Sequence, residues 1–112
     1  MLRVRIAEKS DIVIFYLRGE IVIINLHEVK APLEEKIGKN FKKFIFNMEQ
    51  VTYMDSAAIG MFYTKLVMLK KEGGTVELIK PNATIRRIIE STRLVELVSI
   101  YENEEEAVKA LK

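Results

Sequence analysis

Polar and apolar residues alternate from the first positions of the chain. Arg3, Arg5 and Glu8 are interleaved with Leu2, Val4 and Ile6, which is the period of a half-buried strand and predicts one over Leu2–Ala7, ended by Lys9-Ser10-Asp11. Ile12–Arg18 is nearly continuous in apolar, mostly β-branched or aromatic residues, as expected of a strand covered on both faces, and Gly19 breaks it. A hairpin through Ser10-Asp11 would join the two. After the short apolar run Ile21–Ile24, Asn25–Lys30 reads as a loop. Proline is tolerated in a first helical turn, so Pro32 predicts a helix from Lys30 or Ala31 to Gly38. Phe44–Met48 reads as a buried strand, and the residues from Met48 to Ser56 as a loop. Ile59, Phe62, Leu66 and Leu69 then mark one face of a helix over Ser56–Lys71, stopped by Gly73-Gly74 behind the basic pair Lys70-Lys71. Thr75–Ile79 predicts another strand and Pro81-Asn82 a turn. Ile85, Ile88 and Ile89 mark the inner face of a helix ending around Ser91. A last short strand is expected within Val95–Tyr101, and a closing helix over Glu104–Leu111 with acidic residues in its first turn.

Strands that alternate with helices after an initial hairpin imply an α/β fold. Its central sheet would be mostly parallel, with right-handed crossovers, an antiparallel N-terminal edge strand and about four helices. No linker-like stretch divides residues 1–112, which are expected to form a single domain around one core. In such sheets the loops at the carboxyl ends of the parallel strands carry the sites, and the segment before Ser56 is one of these.

Composition narrows the classes. Hydrophobic residues are 49% of the chain and charged ones 30%, enough apolar material for a packed interior and too much for disorder. Without cysteine there is no disulfide framework, thiolate metal site or thiol redox chemistry, which suits a reducing compartment. The N-terminal residues lack the apolar stretch of a signal peptide, and no run approaches the ~20 residues of a membrane span, so a cytoplasmic protein is expected. Eighteen basic against sixteen acidic residues leave a charge of +2 without a concentrated basic face, so nucleic acid is not an expected partner. The wealth of Lys, Glu and Ile is the composition of a thermophile's protein.

Asp55-Ser56 directly precedes the strongest helical pattern, and one of the two is expected to be its N-cap. Their neighbours suggest a second role. The pair follows a parallel-type strand, Tyr53 and Met54 are expected to be exposed, and small Ala57 and Ala58 leave the Ser56 hydroxyl approachable. An enzymatic reading would join Ser56 and Asp55 to His27, the only histidine, but no Gly-x-Ser-x-Gly elbow surrounds Ser56 and His27 falls in an expected loop. One histidine cannot assemble a metal site, and Gly73-Gly74 lacks the lysine and hydroxyl pair of a phosphate-binding loop. The chain is read as a binding module rather than an enzyme, and no cofactor is implied.

Val51-Thr52-Tyr53-Met54-Asp55-Ser56-Ala57-Ala58-Ile59-Gly60 resembles the signature of STAS domains, in particular the bacterial anti-sigma factor antagonists. Gly19-Glu20-Ile21, Lys71–Leu78, Ile88–Leu94 and Tyr101–Ala107 resemble further landmarks of that family in the same order, so the resemblance spans essentially the whole chain. It implies that Ser56 is the residue phosphorylated by a partner serine kinase that is also the anti-sigma factor. The unphosphorylated form would bind this ATP-binding kinase and release a sigma factor. Asp55, Ser56, Ala57, Met61, Thr64 and Met68, a stripe beginning at the helix start, are candidate partner contacts, and Glu20 with the Ile21–Ile24 segment joins them by resemblance. Met61 and Met68 are equally compatible with packing against a neighbouring helix. The chain departs from the family at three positions. Ala57 and Ala58 stand where a second hydroxyl residue and a glycine are usual, and Val22 where aspartate is common. Ala58 thereby puts a methyl where an approaching kinase backbone would need room. These departures also suit the alternative reading, a STAS module of a transport complex or a small-ligand sensor without regulated phosphorylation.

Overall fold

The computed structural model describes residues 1–112. Its elements are β1 (Arg3–Lys9), β2 (Ile12–Ile21), α1 (His27–Gly38), β3 (Lys43–Met54), α2 (Ser56–Lys71), β4 (Thr75–Ile79), α3 (Ala83–Glu90), a 3₁₀ turn (Arg93–Glu96), β5 (Ser99–Tyr101) and α4 (Glu104–Ala110). The five strands lie in the order β1-β2-β3-β4-β5, with β1 antiparallel to β2 and every other pair parallel. The expected α/β fold, with its antiparallel edge and four helices, is the observed one. No helix is long and apolar enough to cross a membrane.

Three predicted boundaries were misplaced. β3 runs on to Met54 instead of giving way to a loop after Met48. Its pairing with β2 slips twice, between Tyr16 and Arg18 and again between Gly19 and Glu20, so β3 carries extra residues against its partner. Met48, Val51 and Met54, three residues apart, are therefore all buried, and the period of two that marks a strand is lost. Gly19 takes a φ of 101°, open to glycine, and lets β2 continue through the second slip to Ile21 instead of ending there. α1 begins at His27, earlier than the Lys30 or Ala31 that Pro32 suggested. The carbonyl of Val22 already accepts from the amides of Asn25 and Leu26, so helical bonding is under way before His27 and places Pro32 inside the helix. His27 is thus an exposed first-turn residue of α1, not a loop residue.

Val13, Phe15, Leu17, Phe44, Phe46, Met48, Val76 and Leu78 point from the sheet into a core shared with Val29 and Leu33 of α1, Phe62, Leu66 and Leu69 of α2, and Ile85 and Ile89 of α3. Phe46 is its centre. Its ring lies 5.0 Å from that of Phe15 and meets Phe62 edge-on at 5.2 Å. Gly73 (φ 85°) and Gly74 end α2, with the Gly74 amide donating to the Leu69 carbonyl at 2.8 Å. A Cβ on Gly74 would lie 2.5 Å from Leu69 Cγ, so the chain can turn back onto the core only with glycine there.

The opposite face has a smaller core: Ile12, Ile14, Ile45 and Ile79 covered by Ala107 and Leu111 at the C-terminal end of the chain. Asn103 caps α4 through the Glu106 amide. Burial alone would raise the Glu104 carboxyl, but its bonds from Lys9 and the Tyr16 hydroxyl bring it below the usual range. Glu77 of β4 is only 3% exposed, and its Oε2 has no hydrogen-bond partner. Desolvation raises its pKa, and the neighbouring Tyr101 hydroxyl offsets only part of that.

Phe46→Ala is expected to lower stability by about 3–5 kcal/mol, the cost of deleting a fully enclosed aromatic ring. The fall in the urea midpoint at unchanged slope measures it. Glu77 gives a pH signature. Between the ordinary carboxylate value of 4.5 and the raised value in the fold, the folded protein keeps a proton that the unfolded chain has released. Stability is therefore lost as pH rises through that window. Glu77→Gln should gain on the wild type between about pH 4 and about pH 7, read as urea midpoints at both, and an unchanged difference would show the raised pKa to be wrong.

Candidate functional site

The carboxyl end of β3 hands over directly to α2, and one side chain controls the junction. Asp55 is the N-cap, in extended conformation, and its Oδ1 accepts from the Ala58 amide at 2.9 Å. Its Oδ2 accepts from the Ile23 amide, also at 2.9 Å, and its own amide donates to the Ile21 carbonyl at 3.2 Å. One carboxylate thus starts α2 and ties down the segment that follows β2. Asn25 completes the tie: its Oδ1 accepts from the Val22 amide at 2.9 Å and its Nδ2 donates to the Glu20 carbonyl at 3.0 Å.

Capping is therefore the work of Asp55, and Ser56 is the first residue of α2, exposed and without a side-chain hydrogen bond. Of the first-turn amides, that of Ala58 goes to the Asp55 side chain and that of Ile59 to the Asp55 carbonyl. Those of Ser56 and Ala57 have no acceptor within the helix. Ala58 is fully buried and belongs to the core, so its methyl points away from Ser56 and leaves room for an approaching backbone.

The candidate stripe divides in two. Met61 is only 9% exposed and is a core residue, because the buried face of α2 is centred on Ala58, Phe62, Leu66 and Leu69 and includes Met61 at its margin. It is not part of a free surface. Ala57 is half-buried, Thr64 is exposed with its hydroxyl donating to the Gly60 carbonyl, and Met68 is 44% exposed. Met68 lies about 18 Å along the axis from Ser56 at ~1.5 Å per residue. Glu20 is exposed and pairs in register with Tyr53, which is 52% exposed, whereas Met54, expected at the surface, is buried.

Ile23 and Ile24, 68% and 82% exposed, are the most exposed large hydrophobic side chains after Met1. Because the Ile23 amide is bonded to Asp55, this pair borders the start of α2. Their apolar run was visible in the sequence, but only the turn held by Asn25 shows that it faces solvent. Val22 is half-buried at the head of that turn. No group of three or more His, Cys, Asp or Glu residues is arranged to hold a metal ion, and the Ser56 side chain is bonded to no base.

The STAS domain family model matches residues 3–107. A Thermotoga maritima protein with the provisional name of anti-sigma factor antagonist is 28% identical over 104 residues, covering 92% of each chain. The anti-sigma-B factor antagonist of Bacillus subtilis is 29% identical over 96 residues, covering 83% of this chain and 84% of that one. The crystal structure of a Thermotoga maritima protein of that same provisional name superposes with a TM-score of 0.87 at 26% identity, covering 96% of this chain and 92% of that one. SpoIIAA, a Bacillus cell fate determinant solved in its phosphorylated form, shares the fold with a TM-score of 0.79 at 21% identity over the whole of both chains. With the family's domain model covering nearly its whole length and its sheet and helices in the same arrangement, the chain belongs to the STAS domain family.

Proposed function

We propose that this protein is an anti-sigma factor antagonist. It binds an anti-sigma factor serine kinase through the surface around Ser56, and phosphorylation of Ser56 switches that binding off. The observation that carries this reading is the division of labour at the start of α2: Asp55 caps the helix, and the exposed Ser56 hydroxyl is free of any structural bond. A serine in that state can be modified without loss of a stabilising contact. Family membership and the names of the relatives support the same reading.

The binding surface comprises Ser56, Asp55, Ala57 and Glu20, bordered by Ile23 and Ile24 and extended along α2 by Thr64 and Met68. Exposed isoleucines beside a polar centre give an apolar contact area that excludes water from the serine. A phosphate there adds about −1.5 to −2 charges next to the Asp55 carboxylate, so repulsion and desolvation both oppose docking. The unbonded amides of Ser56 and Ala57 and the positive end of the α2 dipole stabilise the same phosphate in the free protein. Modification therefore changes affinity and leaves the fold intact. Val22, where aspartate is common in the family, makes the surface less acidic, and Ala58 presents no obstacle because its methyl is buried.

Mixing the protein with anti-sigma kinases of the same organism and ATP should give one added phosphate by intact mass. Ser56→Ala should abolish it and keep binding, and Ser56→Asp should bind at least about tenfold more weakly, a loss of roughly 1.4 kcal/mol. Failure of every kinase to bind the wild type, or a phosphate at another residue, would refute the mechanism. Asp55→Ala removes both acceptors and is expected to cost about 1–2 kcal/mol of stability. Asp55→Asn retains a single acceptor oxygen and should cost less. Both should speed hydrogen exchange at the Ile23 amide, and unchanged exchange in both would show that the carboxylate does not hold the loop.

A further inference from the structure

The sheet face opposite α1, α2 and α3 is only partly covered by α4, and the uncovered part carries charges that the fold does not need. Arg3 and Arg5 of β1 stand on it beside Arg18 and Tyr16 of β2, with Asn47 and Gln50 continuing the surface onto β3. Together they line an open groove of about 710 Å³, within the size range of small-molecule sites. Register places Arg3 directly opposite Arg18, a like-charge cross-strand pair that works against the hairpin. Acidic side chains pair with six other cations of the molecule, Lys9, Lys36, Lys42, Lys43, Lys65 and Arg86, but with none of these three arginines. Like charges set opposite one another break a local rule of strand pairing, and such breaks are where functional places are expected.

The groove is also partly organised in advance. The Arg5 guanidinium lies 4.0 Å from the centroid of the Tyr16 ring, and the Tyr16 hydroxyl is anchored by donating to Glu104. Arg5 is thus held against a fixed ring while its donors remain available. Arginine's planar fork suits phosphate and carboxylate groups, which accept two parallel hydrogen bonds from it.

We propose that this groove binds a small molecule carrying two or more phosphate or carboxylate groups. The opposed Arg3 and Arg18 hold one anionic group, Arg5 holds another, and the amides of Asn47 and Gln50 serve the neutral polar atoms. Glu49 is the one acidic residue lining the groove, and Glu104 with the acidic first turn of α4 bounds it at Tyr16. A compact anion fits between these carboxylates, whereas a nucleic acid strand or a long acidic segment would run into them. Ser56 opens α2 on the other face of the sheet, so this site stands or falls independently of the kinase-binding reading.

The test is a titration of isotope-labelled protein with pyrophosphate, and separately with citrate, at constant ionic strength, followed by amide chemical shifts. At least one probe should give saturable shifts at Arg3, Arg5, Arg18 and Asn47. The Arg3→Gln/Arg18→Gln double variant should bind at least about tenfold more weakly, the loss expected when charge-assisted bonds are removed. A control variant on α3, Arg86→Gln, which removes the guanidinium paired with Glu102, should bind like the wild type. The double variant relieves the like-charge pair, so its spectrum should stay dispersed and its urea midpoint should not fall. Saturation by pyrophosphate alone assigns a phosphorylated ligand and by citrate alone a carboxylated one. Shifts that fail to saturate with both probes, or equal weakening by Arg86→Gln, overturn the proposal. So does a poly-glutamate peptide that binds where both small anions fail, since the face would then dock a protein.

Discussion

Parallel pairing of β2, β3, β4 and β5 in chain order requires each connection to cross the sheet with the same hand, and three crossovers of one hand moving in one direction stack on one side. α1, α2 and α3 accordingly share a single core with Val13, Phe15, Phe46 and Leu78, leaving the other face to the seven residues of α4. This asymmetry decides which strands read as continuous apolar runs. β2 and β3 are covered on both faces where α4 lies and read as Ile12–Leu17 and Phe44–Phe46. β1, at the edge, keeps its alternation and its arginines. It also decides where the chain can afford polar chemistry: at the rim where β3 meets α2, and on the sheet beyond the reach of α4.

Most of the fold was legible because periodicity and punctuation agreed. Gly73-Gly74 marked the end of α2, Pro81-Asn82 the turn before α3, and the spacing of Ile85, Ile88 and Ile89 its inner face, of which Ile85 and Ile89 are buried and Ile88 partly so. The misses have three different causes, each lying outside the pattern that was read. The double slip of β3 against β2 turned a period of two into one of three at Met48, Val51 and Met54. The Asn25 turn began α1 ahead of the position that Pro32 advertised. Met61 was drawn into the core by a rotation of α2 that its own spacing could not fix, since Ile59 and Met61 flank the buried face equally well in sequence.

The candidate site was legible in its position but not in its wiring. The Asp55-Ser56 pair announced a helix start, yet the sequence could not say which of the two caps it. The answer depends on Ile23, thirty-two residues away, whose amide engages the second oxygen of the Asp55 carboxylate. That bond joins the loop after β2 to the start of α2. It makes the exposed pair Ile23 and Ile24 part of the same surface as Ser56, which no pattern within either segment could show.

The two faces also differ in what a bound negative charge would do. At the start of α2 the carboxylate of Asp55 is committed to two amides, so an added phosphate meets a fixed acidic neighbour while still finding free helix-end donors. Attraction to the helix and repulsion from the cap act on one group together, which suits a modification that must be tolerated by the fold and felt by a partner. On the bare face the sign is reversed. Arg3 and Arg18 repel each other across the hairpin, and an anion between them would relieve that repulsion. Negative charge at the first place would loosen an association, and at the second it would tighten the protein itself, because a ligand that binds only the folded form stabilises it.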